Sequence, residues 1–144
     1  MTSYQVLRGV GVISLFHGRT NYLSSPVRNG ILTYIRQAKT DKVKSLILLG
    51  NGPLFSMGTD VMELLKGNFL SQPDLFSLTE HLENFDAPVI CAMHGMAVGS
   101  ALELALGCHW RIAHNDTRLG FADMNLGLST GISLTMNYRN RIIS

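Results

Sequence analysis

The chain reads as an α/β protein with mostly parallel strands, and three observations predict this. Short apolar runs rich in β-branched residues, Val6 to Phe16, Val43 to Leu49 and Val89 to Met93, have the character of strands. Between them lie stretches whose apolar residues recur every three to four positions, as on one face of a helix. Strand, helix, strand, helix, strand is the order that builds a parallel sheet, because parallel neighbours need a crossover between them. With 144 residues, 46% hydrophobic and 15% charged, the chain is long and apolar enough to fold around one core, so 1–144 is read as a single domain.

Val6 to Phe16 is expected to form one or two early strands. Its Gly9-Val-Gly11 lacks the third glycine and the helix start of a dinucleotide site. His17 to Asn21 is a polar turn. Ser24 and Ser25 can cap a helix with Pro26 in its first turn, and Val27, Ile31, Tyr34, Ile35 and Ala38 then share a face ending near Lys39. The basic residues of this helix are expected on its solvated side. VKSLILL, bounded by Gly50-Asn-Gly52, has the pattern of a strand buried on both faces whose Gly-rich exit is a usual place for a ligand. Val61 to Leu82 divides into two helical pieces at Gly67 to Pro73, with Val61, Leu64, Leu65, Phe76, Leu78 and Leu82 expected in packing. Phe85-Asp-Ala-Pro88 ends the second piece, since a residue before proline avoids the helical region. Val89 to Met93 is the next buried strand.

Pro88 to Gly131 carries the chemistry. Gly95, Gly99 and Ser100 open a short apolar helix, Ala101 to Cys108, with a lone carboxylate, Glu103, in its first turn. A second acid, Asp123, follows in the turn FADMNLGL. Two carboxylates around one Gly-rich helix start are the equipment of general acid/base catalysis, provided the fold brings them together. A net charge of +2 with scattered basic residues argues against nucleic acid or an anionic surface. No run approaches the roughly 20 apolar residues of a membrane span. Cys91 and Cys108 are expected as free buried thiols in a reducing compartment. His94, His109 and His114 lack metal-ligand spacing, Trp110 is expected in packing, and Asn115-Asp-Thr117 is a polar turn. Neither end carries a recognisable address.

The segment Gly95 to Cys108, GMAVGSALELALGC, resembles the G-x-A-x-G-G-G-x-E-L-A-x-x-C signature of the crotonase (enoyl-CoA hydratase/isomerase) family. Leu119 to Gly131 is similar to that family's F-G-x-P-E-V-x-L-G-x-x-P-G, and LELALGCHWRIA is closest in wording to its peroxisomal bifunctional-enzyme branch, at the amino-terminal hydratase/isomerase module. Asn21-Tyr-Leu-Ser24 resembles the family's N-A-x-S, and Phe55 to Asp60 its F-S/C-A-G-A-D. The resemblance implies a crotonase-like (ClpP/crotonase) fold of repeated ββα units, with the helical part that would follow Gly131 missing or truncated; Ile132 to Ser144 departs from the pattern. It also implies an oxyanion hole made by the backbone N–H groups of Met57 and Ser100, supported by Gly58 and Gly99, with Glu103 and Asp123 as catalytic carboxylates. Met57 stands where the family has a small residue, and Asp123 is one methylene shorter than the family's Glu. Hydration is therefore expected to be slow, and double-bond isomerisation, which one carboxylate can serve, to suffer less.

The implied substrates are fatty acyl-CoA thioesters of β-oxidation, with no metal or redox cofactor, coenzyme A being part of the substrate. The implied partners are a second and third copy in a homotrimer, if the missing helices are supplied. The implied compartment is the peroxisome, with cytoplasm and mitochondrion as alternatives. The competing expectations are a catalytically weak or silent module that binds acyl-CoA or a partner subunit, and a truncated chain that cannot close its core.

Overall fold

The computed structural model describes residues 2–68 and 71–121. A hairpin opens the chain: β1 (Thr2–Leu7) and β2 (Val10–Leu15) pair antiparallel across a tight turn at Arg8 and Gly9. The strand expected from Val6 thus starts earlier and is broken by the turn. Next come α1 (Ser25–Thr40), β3 (Ser45–Gly50), α2 (Val61–Leu65), α3 (Leu75–Glu83), β4 (Val89–Met93), β5 (Met96–Val98), α4 (Ser100–Gly107), β6 (Trp110–Ala113) and β7 (Arg118–Gly120). The main sheet runs β1-β2-β3-β4-β6, and every pairing after the hairpin is parallel. β5 and β7 form a second, parallel pair.

The register explains which face is the core. Ile13 lies opposite Leu48 and Leu48 opposite Cys91, while Leu46 faces Val89; this row is fully buried. Val27, Ile31, Ile35 and Ala38 of α1, Leu78 and Leu82 of α3, and Leu104 and Ala105 of α4 complete the same cluster. The alternate row, which includes Ile47, Leu49 and Ile90, is only half-buried. β3 and β4 are therefore not buried on both faces as their hydropathy suggested: within the described residues the helices pack on one side. A continuous apolar run cannot tell two covered faces from one.

Three more expectations are corrected by burial. Trp110 is not in packing: it is 55% exposed on the edge strand β6, where Arg111 takes the inward position instead. Val61 and Leu65 are not packed either, since α2 is a helix of 5 residues with none buried and Leu65 is 75% exposed; Phe76 is likewise exposed. The basic face of α1 is not wholly solvated, because Arg28 is 5% exposed and lies among the buried residues of that helix. Both cysteines are free and buried. Burial first, and then the neighbouring Cys108, push the Cys91 thiol well above its ordinary range, which disfavours the reactive thiolate.

Gly95 joins β4 to β5 with φ +66, and a Cβ there would lie 2.2 Å from the carbonyl oxygen of Pro53. Left-handed strain costs an L-residue about 1–2 kcal/mol and overpacking about 1–3 more. Gly95→Ala should thus lower unfolding free energy by about 2–5 kcal/mol in urea titration. An alanine variant as stable as the parent would contradict this crossing.

Tyr4 stacks on Tyr34 with ring centroids 5.5 Å apart and donates its hydroxyl to Asp41 at 2.8 Å. Burial, then the bond to Asp41 and its charge, push the phenol up to about 12 from 10.0. Between these values the folded chain holds a proton that the unfolded chain has lost, so stability should be intact below about pH 10 and fall as pH rises towards 12. Unfolding titrations of the parent and Tyr4→Phe across that window check this, the variant losing the added slope.

Candidate active site

The site forms where the loop leaving β3 meets the start of α4. β3 ends at Gly50, and the chain turns back so that Ser56 makes a parallel bridge with Ala97 of β5, its N–H reaching Met96 O at 3.1 Å. Asn21 fastens this turn. Fully buried, it donates from Nδ2 to the carbonyls of Asn51 (2.8 Å) and Leu54 (3.1 Å), and accepts the His17 N–H on Oδ1 at 2.8 Å. Its own carbonyl accepts the Ser56 hydroxyl at 2.6 Å, and that Ser56 Oγ accepts the Gly58 N–H at 3.0 Å. Sequence reasoning gave Asn21 and Ser56 no such role; the signal was an asparagine closing a polar turn, where its side chain can replace backbone partners.

The amides of this loop correct one expectation. The Met57 N–H donates to Thr20 O at 2.9 Å, in the turn between β2 and α1, so it is committed there rather than aimed beside Ser100. The residues that reach the helix are the next two. A Cβ on Gly58 would lie 2.6 Å from Val98 O and 3.2 Å from Ser100 N, and with φ +84 the position suits only glycine. Thr59 donates its hydroxyl to Ser100 Oγ at 3.1 Å. Which amide a Gly-containing loop turns outward depends on local dihedrals, which motif spacing does not encode.

Gly99 precedes α4. Its N–H donates to Gly120 O at 2.7 Å, and its carbonyl accepts from Leu102 and Glu103, opening the helix. Nearly all of α4 is buried, and Glu103 with it, at 6% exposure. An exposed first-turn glutamate would serve only the helix dipole; a carboxylate this far from water, one turn from a helix N-terminus, sits where proton transfer can be tuned. Asp123, like everything from residue 122 onward, lies outside the described residues.

The histidines have local tasks. His109 Nδ1 accepts the Val89 N–H at 2.9 Å while Nε2 lies 2.9 Å from Glu83 O, an arrangement that assigns the neutral Nε2–H tautomer. His94 Nε2 lies 2.7 Å from Gly52 O, and His114 is exposed beside Asp116. Among the described residues no three His, Cys, Asp or Glu side chains are grouped to hold a metal ion, and no helix is long and apolar enough to cross a membrane.

Against known proteins, the profile of the enoyl-CoA hydratase/isomerase family matches residues 6–143. The chain belongs to that family. A probable enoyl-CoA hydratase of Bacillus subtilis is 39% identical over 134 residues, covering 88% of this chain and 51% of the relative. The peroxisomal bifunctional enzyme of Danio rerio is 37% identical over 130 residues, covering 89% of this chain and 18% of that protein. The chain thus spans about half the length of the first of these relatives and under a fifth of the second. In fold it is similar to the crystal structure of enoyl-CoA hydratase from Thermoplasma volcanium, with a TM-score of 0.85 over 94% of this chain and 58% of that one, at 21% identity. The crotonase-like fold implied by the sequence motifs is therefore the fold of this chain.

Proposed function

We propose that this chain carries an enoyl-CoA hydratase/isomerase site acting on fatty acyl-CoA thioesters, and that the site lies between the Gly58–Thr59 turn and the start of α4. The observation that carries the reading is the burial of Glu103 one turn inside that helix, directly behind the loop contact. Charge developing on a thioester oxygen needs backbone donors already in place, and a helix N-terminus adds favourable potential. We assign the donor positions to Ser100 and, in place of Met57, to Thr59.

In hydration, the oxygen of a water adds to C3 of the enoyl thioester while C2 gains a proton. Glu103 takes a proton from the water as that bond forms, and Asp123 supplies the one delivered to C2. In isomerisation a single carboxylate removes a proton from C2 and returns it at C4, leaving the double bond between C2 and C3. Either scheme works with one acid protonated and one ionised, which a shared low-dielectric site favours. Neither needs a metal or redox cofactor, coenzyme A being the handle of the substrate. A role in β-oxidation, a peroxisomal setting and a homotrimer are parts of the same proposal, supported by the naming of the Danio rerio relative and by the family alone.

A second reading, a module that binds acyl-CoA without turnover, is favoured by Ser100 and Asp123, which stand where the family signature has Gly and Glu. Crotonyl-CoA and a 3-enoyl-CoA, followed spectrophotometrically for turnover and by calorimetry for binding, separate the two. Turnover supports the first reading, binding alone the second, and neither would sink both.

A further inference from the structure

We propose that the hydroxyls of Thr59 and Ser100 form a clamp that fixes the loop after β3 against the start of α4, and so sets the spacing of the two backbone donors. This rests on the thioester-site reading above.

Three neighbouring groups of the loop are bonded to partners outside α4. The Met57 amide goes to Thr20, the Gly58 amide to Ser56 Oγ, and the Gly58 carbonyl accepts from Leu23 N at 2.8 Å. The backbone tie to the second sheet lies further back, at the Ser56–Ala97 bridge, where Val98 N reaches Ser56 O at 3.4 Å. Beyond that bridge loop and helix are brought face to face by a residue without a side chain, with Ser100 N and Oγ standing 3.2 and 3.1 Å from where a Gly58 Cβ would be. Close approach of two backbones supplies contact but no directional restraint. The Thr59 Oγ1 to Ser100 Oγ bond of 3.1 Å supplies it, joining side chains on the two donor positions themselves. Thr59 suits the task because branching at Cβ limits its χ1 choices and holds the hydroxyl on target. A glycine at position 100, the residue of the family signature, has no hydroxyl to receive it. Thr59 and Ser100 act here through their side chains as positioning residues, separate from what their amides do.

The test compares Thr59→Val, which keeps shape and removes the donor, with Thr59→Ser, which keeps the hydroxyl, each alone and in a Ser100→Ala background. Thr59→Val should lower kcat for crotonyl-CoA about tenfold with KM within about twofold, the loss a displaced donor produces. Thr59→Ser should recover most of it, and in the Ser100→Ala background Thr59→Val should add little. Hydrogen exchange of the 55–60 segment should quicken in Thr59→Val and not in Thr59→Ser. Losses that multiply across the two positions, or equal exchange in the Val and Ser variants, would overturn the clamp. A parent chain without turnover would count against the enzymatic reading alone, with exchange still deciding the clamp.

Discussion

Glu103→Gln should lower turnover of crotonyl-CoA by about 100- to 10,000-fold, the range that removal of a positioned acid or base produces. Gln keeps the shape of the side chain and its capacity to accept a hydrogen bond, so the packing of α4 around it should be kept. The charge it removes is buried, at 6% exposure, in the first turn of the helix. Two opposing effects act on stability: the dipole at the helix start favours a negative group by about 0.3–1 kcal/mol, while withdrawing a carboxylate from water disfavours it. Both effects bear on the charge alone, so a melting temperature that does not fall below the parent's will mark a large loss of activity as chemical rather than structural. KM should move little, because Glu103 is assigned to proton transfer and the donors to thioester binding. A folded Glu103→Gln chain with full turnover would remove Glu103 from the mechanism.

Glu103 was legible because it breaks a pattern. In SALELALG it is the one charged residue of an otherwise apolar helix, and such a residue either turns out to water or is there for a purpose. The alternation of strands with helices was equally readable, since buried strands and amphipathic helices write different periods into the chain. What could not be read depended on contacts between distant residues. β5 and β7 are 3 residues each, too short for any period, and exist because the second sheet pairs them. The inward position of Arg111 and outward position of Trp110 invert their hydropathies, because the pleat of an edge strand is set by its register with β4. The Met57 amide was assigned by spacing within a motif, whereas its direction is decided by a carbonyl, Thr20 O, 37 positions earlier.

The other large effect is expected at a residue that composition assigned to the surface. Arg28 places its guanidinium between α1, α2 and the segment before α3, donating from Nε to Pro73 O (2.8 Å), from Nη1 to Leu23 O (2.6 Å) and Glu63 Oε2 (3.0 Å), and from Nη2 to Ser71 O (3.1 Å) and Oγ (3.0 Å). Glu63 in turn accepts the Ser25 N–H on Oε1, so an acid from α2 caps the amino end of α1, where the Ser24 side chain does not. Arg28→Ala leaves the Glu63 carboxylate without its cation and three carbonyls without this donor, in a place where water is largely excluded. Removing one partner of a buried pair costs about 3–5 kcal/mol, a fifth or more of the about 5–15 kcal/mol that a whole domain has to lose. Arg28→Lys keeps the charge but offers three donors where the guanidinium makes five bonds, so about 1–3 kcal/mol should go, at roughly 0.5–1.5 for each bond lost. Because the penalty lies in the stranded carboxylate, Arg28→Met combined with Glu63→Gln should be more stable than the sum of the two single changes predicts. Urea unfolding of Arg28→Ala, Arg28→Lys, Arg28→Met, Glu63→Gln and the double variant measures all of this. An Arg28→Ala chain within about 1 kcal/mol of the parent would mean that the pair is solvated, as an exposed ion pair is, and that α2 is held to α1 by something else.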